Sequence, residues 1–156
     1  MVCLLGCGSQ GRKEVMTMTW IKIALPLIML MQMILPQRSY TDLLWNNMTE
    51  KQRDNAPVEL KAEVADMTVD EYKLFSSVVE AESDRKKGSI EGRVMIAIVI
   101  LNRVDSKKFP NTITKVIRQR GQFSVVSSGA YKRVGRTKLS DRAVIEAVER
   151  KKEGNS

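Results

Sequence analysis

Histidine is absent from the 156 residues, and cysteine occurs only at Cys3 and Cys7. Without an imidazole there is no Ser-His-Asp or Cys-His catalysis, no histidine-ligated zinc and no imidazole acid or base. Two thiols are too few for a structural zinc site or a disulfide framework. Any catalytic group must therefore be a carboxylate, a lysine, a hydroxyl or the backbone. What is present suits a folded protein: 43 % apolar and 28 % charged residues argue against wholesale disorder. The length fits one modest domain of about 100–150 residues with an appendage.

Charge is uneven along the chain. Residues 1–104 carry 13 basic and 13 acidic side chains, whereas residues 105–156 carry 13 basic and 5 acidic, the whole of the formal +8. A basic half suits an anionic partner such as nucleic acid, anionic lipid or wall polymer, and composition alone does not choose among them.

Residues 20–35, WIKIALPLIMLMQMIL, are apolar except for Lys22 and Gln32, with Arg12 and Lys13 ahead of them. As a helix this run spans about 24 Å, short of a hydrocarbon core of about 30 Å. A basic start and a short apolar stretch predict a signal peptide or membrane anchor over residues 1–38. The competing reading, a buried core helix, is disfavoured by Pro26 and by the methionines at 16, 18, 29, 31 and 33. Gly6-Cys7-Gly8-Ser9-Gln10-Gly11 formally matches a dinucleotide fingerprint, but no acid follows between Glu14 and Asp42 to hold a ribose.

Residues 39–67 read as a polar linker with partial helix around Leu43–Trp45 and after Pro57, and the folded unit is expected to begin near Thr68. Thr68-Val69-Asp70-Glu71 is a capping box, predicting a helix to about Ser83 with Tyr72, Phe75, Val78 and Val79 on one face. Ser89 caps the next segment, Ile90 to Val104, whose centre VMIAIVIL is apolar on every side. Its β-branched residues pull toward strand and its length toward a buried central helix. Asn111 or Thr112 caps a short helix, residues 119–139 read as loop or short strands, and Ser140-Asp141 opens a last helix ending near Gly154. The fold class is mainly α (α+β), with room for a small β-hairpin or sheet.

Five fragments follow in order: Val78-Val79-Glu80-Ala81-Glu82, Glu91-Gly92-Arg93-Val94, Asn102-Arg103-Val104, Phe109-Pro110-Asn111-Thr112-Ile113 and Gly121-Gln122-Phe123-Ser124. Together they resemble the catalytic domain of SleB/CwlJ-type cell wall hydrolases, the spore-cortex-lytic enzymes and their relatives, over about residues 70–154. The resemblance implies a compact, lysozyme-like helical domain at 68–156 that cleaves peptidoglycan glycan strands as a lytic transglycosylase, with Glu80 as the essential glutamate and no cofactor or metal. It also implies a cleft loop at Gln122, Phe123 and Ser124 that binds sugar. Family domains continue past the last helix into a Gly-rich aromatic stretch, so the domain is expected to be C-terminally short. A non-catalytic wall-binding member is the alternative.

The residue type suits the reaction. Breaking a glycosidic bond needs an acid for the leaving oxygen, which a desolvated glutamate can be near neutral pH. A hydrolase adds a second carboxylate, for which Asp84 and Glu91 are candidates. Helical periodicity, at 100° per residue, puts Glu82 nearer the centre of the apolar face than Glu80 and would nominate it instead. Phe123 is equally well read as a core plug. Lys132, Arg133, Arg136 and Lys138 are read as a solvated loop or as a hold on anionic wall polymer. The expected setting is the bacterial cell envelope, exported or anchored through residues 20–35. Nucleic acid is not an expected partner, because no helix gathers basic residues on one face.

Overall fold

The computed structural model describes residues 37–83 and 88–154. The expected leader at 1–38 lies almost wholly outside the described residues, as does Asp84. The chain divides into two units, Met1–Tyr40 and Thr41–Ser156. Of the first, the described part is the opening turn of a helix at Gln37–Asn47 (α1). No helix among the described residues is long and apolar enough to cross a membrane.

After α1 come Glu50–Asn55 (α2), Val58–Val64 (α3), Val69–Glu82 (α4), Ile90–Asp105 (α5), Ile113–Ile117 (α6), Ser124–Ser127 (α7), Ala130–Val134 (α8) and Lys138–Lys152 (α9). No strand occurs among the described residues. Residues 119–139, where short strands were one expectation, hold α7 and α8. Gly129 and Gly135, at φ 68° and 67°, bracket α8 and keep it to little more than one turn.

Helix α4 forms where its cap and spacing predict. The Thr68 hydroxyl accepts from the Glu71 N–H at 3.3 Å. The reciprocal half of the box is absent, because Glu71 Oε1 instead accepts from Thr114 N and Oγ1, at 3.1 and 3.2 Å, and ties α4 to α6. Tyr72, Phe75, Val78 and Val79 are fully buried, each worth about 1.5–3 kcal/mol of apolar transfer. Replacing Thr68 with Ala removes the cap and should cost about 1 kcal/mol in chemical denaturation.

Helix α5 resolves the helix-or-strand ambiguity at 94–101 in favour of helix, with Ser89 Oγ accepting from Gly92 N at 3.0 Å. It is central on one face only. Val94, Ala97, Ile98 and Ile100 are buried, while Met95 and Val99, four residues apart, face solvent. An all-apolar run hides which stripe will be covered. Helix α9 makes its most extensive packing with α5 and its next with α4. It starts at Lys138, earlier than Ser140-Asp141 suggests: Thr137 is the N-cap and Ser140 the N3 residue of a capping box. Gly154, at φ 75°, follows its last turn as expected.

Residues 41–67 contribute Trp45, Ala62, Val64 and Ala65 to the same core. Their polar composition conceals this, because α1 buries one apolar side chain, Trp45, α2 buries none, and α3 buries only Ala62 and Val64 of its apolar residues.

Candidate active site

Three side chains one turn apart on α4, Tyr72, Ser76 and Glu80, make a buried polar stripe beside the apolar one. All three meet the start of α9. The Tyr72 hydroxyl donates to the Asp141 carbonyl at 3.2 Å and Ser76 Oγ to Asp141 Oδ1 at 2.8 Å. Burial first, and the nearby Asp141 charge second, push the Tyr72 phenol well above its ordinary range. Glu80 Oε2 accepts from Thr137 Oγ1 at 2.7 Å.

Glu80 is 4 % exposed and Arg93, from the first turns of α5, is 2 % exposed. They form a two-pronged pair: Arg93 Nε donates to Oε2 and Nη2 to Oε1, both at 3.0 Å. The remaining Nη1 donates to the carbonyls of Gly88 and, at 3.3 Å, Ser89. The hydrogen bond to Glu80 raises Arg93 above its ordinary value against the opposing effect of burial. Two guanidinium donors and one hydroxyl hold this carboxylate in orientation.

The hydroxyls continue the network. Ser140 Oγ lies 3.4 Å from Thr137 Oγ1 and 3.1 Å from Ser76 Oγ, and Asp141 Oδ2 pairs with Lys61 at 3.0 Å and Arg136 at 2.8 Å. Two ion pairs, Arg93–Glu80 and Lys61–Asp141, are thus bridged through Thr137, Ser140 and Ser76.

Burial reverses the periodicity argument. Glu82, on the last turn of α4, is only half-buried, although its Oε1 is shielded and has no hydrogen-bond partner. The helical wheel missed Glu80 because its partners are polar and lie on other elements. Arg93 and Thr137 were likewise missed, and only the i, i+4, i+8 spacing of Tyr72, Ser76 and Glu80 signals a polar contact face.

The other candidates sit elsewhere. Gln122 and Ser124 are exposed and Phe123 is buried. The Arg103 guanidinium lies 5.3 Å from the Phe123 ring centre and 5.4 Å from that of Phe109, so Arg103 serves this aromatic pair. Helices α7 and α8 both pack on α4, which places this loop against the helix that carries Glu80. Glu91 is exposed and held by two 2.8 Å bonds from Arg150, whose hydrogen bond lowers its carboxyl below the ordinary value. The basic loop is not one free patch. Arg133 donates to the Ser128 carbonyl, Arg136 pairs with Asp141, Lys138 donates to Asn55, and Lys132 lies over Tyr131. No cluster of potential metal ligands occurs among the described residues.

No curated protein and no solved structure matches the chain. The segment that supplies Arg93 and Thr137 to Glu80, residues 87–156, matches the family model described as Cell Wall Hydrolase.

Proposed function

We propose that the protein cleaves the glycan strands of peptidoglycan as a SleB/CwlJ-type lytic transglycosylase of the bacterial cell envelope, with Glu80 as acid and then base. The observation that carries this reading is the junction just described: a buried glutamate immediately ahead of the cell-wall-hydrolase segment, gripped by two side chains of that segment. Glu80 donates a proton to the glycosidic oxygen as the bond from that oxygen to the anomeric carbon breaks. The 6-hydroxyl of the same sugar then closes on the anomeric carbon and its proton passes to the ionised Glu80, leaving a 1,6-anhydro end. One carboxylate suffices, and Glu91, tied to Arg150, is not needed as a second.

Both Glu80 oxygens are occupied by Arg93, so the fork must open as sugar enters for the carboxyl group to reach the glycosidic oxygen. Gln122, Phe123 and Ser124 are proposed to line the sugar path, with the basic loop steering anionic polymer, and residues 20–35 to hold the chain at the membrane. A second assignment of the acid has its own support. The shielded Oε1 of Glu82 has no hydrogen-bond partner, so this carboxylate is not tied into a fork.

Digestion of purified sacculi by the full chain, followed by mass spectrometry of the released muropeptides, tests the chemistry. Anhydro-ended fragments are the expected product. Reducing ends would replace the transglycosylase step with hydrolysis, and binding without release would leave only the wall-binding alternative.

A further inference from the structure

Between Asp105 and Asp141 the chain carries nine basic side chains and no acidic one. The fold divides them into two groups. In the later group, Arg136 pairs with Asp141, Lys138 donates to Asn55, Arg133 donates to the Ser128 carbonyl and Lys132 lies over Tyr131. The five cations ahead of the Gln122–Phe123–Ser124 loop differ. Lys107 and Lys108 lie on the turn after α5, Lys115 on α6, and Arg118 and Arg120 just beyond its end, and all five are exposed. None of these five side chains has a hydrogen bond or an ion pair among the described residues. The carboxylates that border or bond this segment are already engaged, Asp105 with Lys151 and Glu71 with Thr114.

Packing leaves this segment one wet side. Ile113, Val116 and Ile117 are buried and α6 packs on α4 and α5, so the cations stay outside. Like charges gathered over residues 107–120 repel one another, and a polyanion laid across them relieves that repulsion. The charge pattern also selects the polyanion. A peptide stem of the wall carries ammonium as well as carboxylate groups and calls for acids beside bases, which this segment lacks. A phosphodiester polymer repeats negative charge alone, and arginine forks and lysine point charges both suit its oxygens. We propose that α6 and the turn before it hold a phosphodiester polymer of the cell wall, a chain of alditol phosphates. This rests on the wall-cleaving reading: the segment lies within the residues that match Cell Wall Hydrolase, which favours a wall polymer over a nucleic acid of the same linkage. Glu71, which ties α6 to α4, stands about 14 Å along the helix axis from Glu80. Polymer retention therefore sits beside the proposed cleavage centre and not on it.

Co-sedimentation of the full chain, on ice, with sacculi that keep their alditol-phosphate polymer tests this, beside the same sacculi stripped of it with hydrofluoric acid. Stripping should lower the affinity about tenfold, and so should raising the ionic strength to about 1 M, where the Debye length is about 3 Å. Lys115→Gln/Arg118→Gln removes two charges that bond nothing in the fold, so its thermal midpoint should match wild type. Its affinity for polymer-bearing sacculi should fall about fivefold, whereas Lys132→Gln/Arg133→Gln, which removes equal charge from the later group, should lower it less than about twofold. Equal losses in the two variants would reduce the effect to net charge and overturn the surface, as would affinity that survives stripping. Tighter binding to duplex DNA or to phosphatidylglycerol vesicles at the same salt would overturn the wall assignment. Muropeptide release from the stripped sacculi on warming keeps the two claims apart: release without polymer-dependent binding removes the surface alone, and polymer-dependent binding without release removes the cleavage reading alone.

Discussion

Replacing Arg93 with Met should destabilise the folded unit by about 3–5 kcal/mol, because it strips the paired cation from a carboxylate that is almost wholly shielded. The expectation comes from an asymmetry. The gross attraction across the fork is large, but most of it offsets the cost of dehydrating two ions, so the net worth of the pair is small. Losing the guanidinium leaves the dehydration cost of the carboxylate without its two charged donors. Thr137 Oγ1 still donates to Glu80, and a neutral hydroxyl is a weaker partner than a pair of charged N–H groups. The carbonyls of Gly88 and Ser89 would lose their donor as well, loosening the entry to α5. Urea denaturation measures the effect. The double variant Glu80→Leu/Arg93→Met should regain most of the loss, since apolar groups of similar volume need no partner. A single variant as stable as wild type would mean that water reaches the pair.

Local chemistry made the helices legible. Thr68, Ser89 and Thr112 each cap the helix their positions predict, because a hydroxyl before an apolar periodic run has few other uses. The start of α9 was misplaced because Thr137 and Ser140 are both good caps and only the tertiary environment selects between them: Thr137 faces Glu80, and Ser140 is drawn inward to Ser76. The N-terminal helices were hard to read because Trp45 and Lys61 are buried by contacts with Glu149 and Asp141, more than 75 residues away. The candidate site shows the same division. Motif order nominated Glu80, while its burial, its fork with Arg93 and its link to Asp141 arise from side chains brought together by three elements, which no helical wheel encodes. Glu82 drew the wheel's attention because periodicity counts only apolar neighbours, whereas Glu80 is met by the polar Arg93 and Thr137 from other elements.

The second large effect concerns activity. Glu80→Gln keeps the shape and most hydrogen bonds of the site but can neither donate nor accept the proton, and general acid–base assistance is worth about 10²–10⁴-fold. The substitution also leaves Arg93 without its counter-ion, so the folded fraction must be measured on the same sample. Glu82→Gln has no ion pair to break and should fold as wild type does. The rates at which wild type, Glu80→Gln and Glu82→Gln release soluble muropeptides from sacculi therefore bear on the central claim directly. The account predicts a fall of at least 100-fold for folded Glu80→Gln and a change of less than threefold for Glu82→Gln. Retained activity in Glu80→Gln, with the loss appearing in Glu82→Gln, would contradict it and leave the Glu80–Arg93 pair a structural element alone.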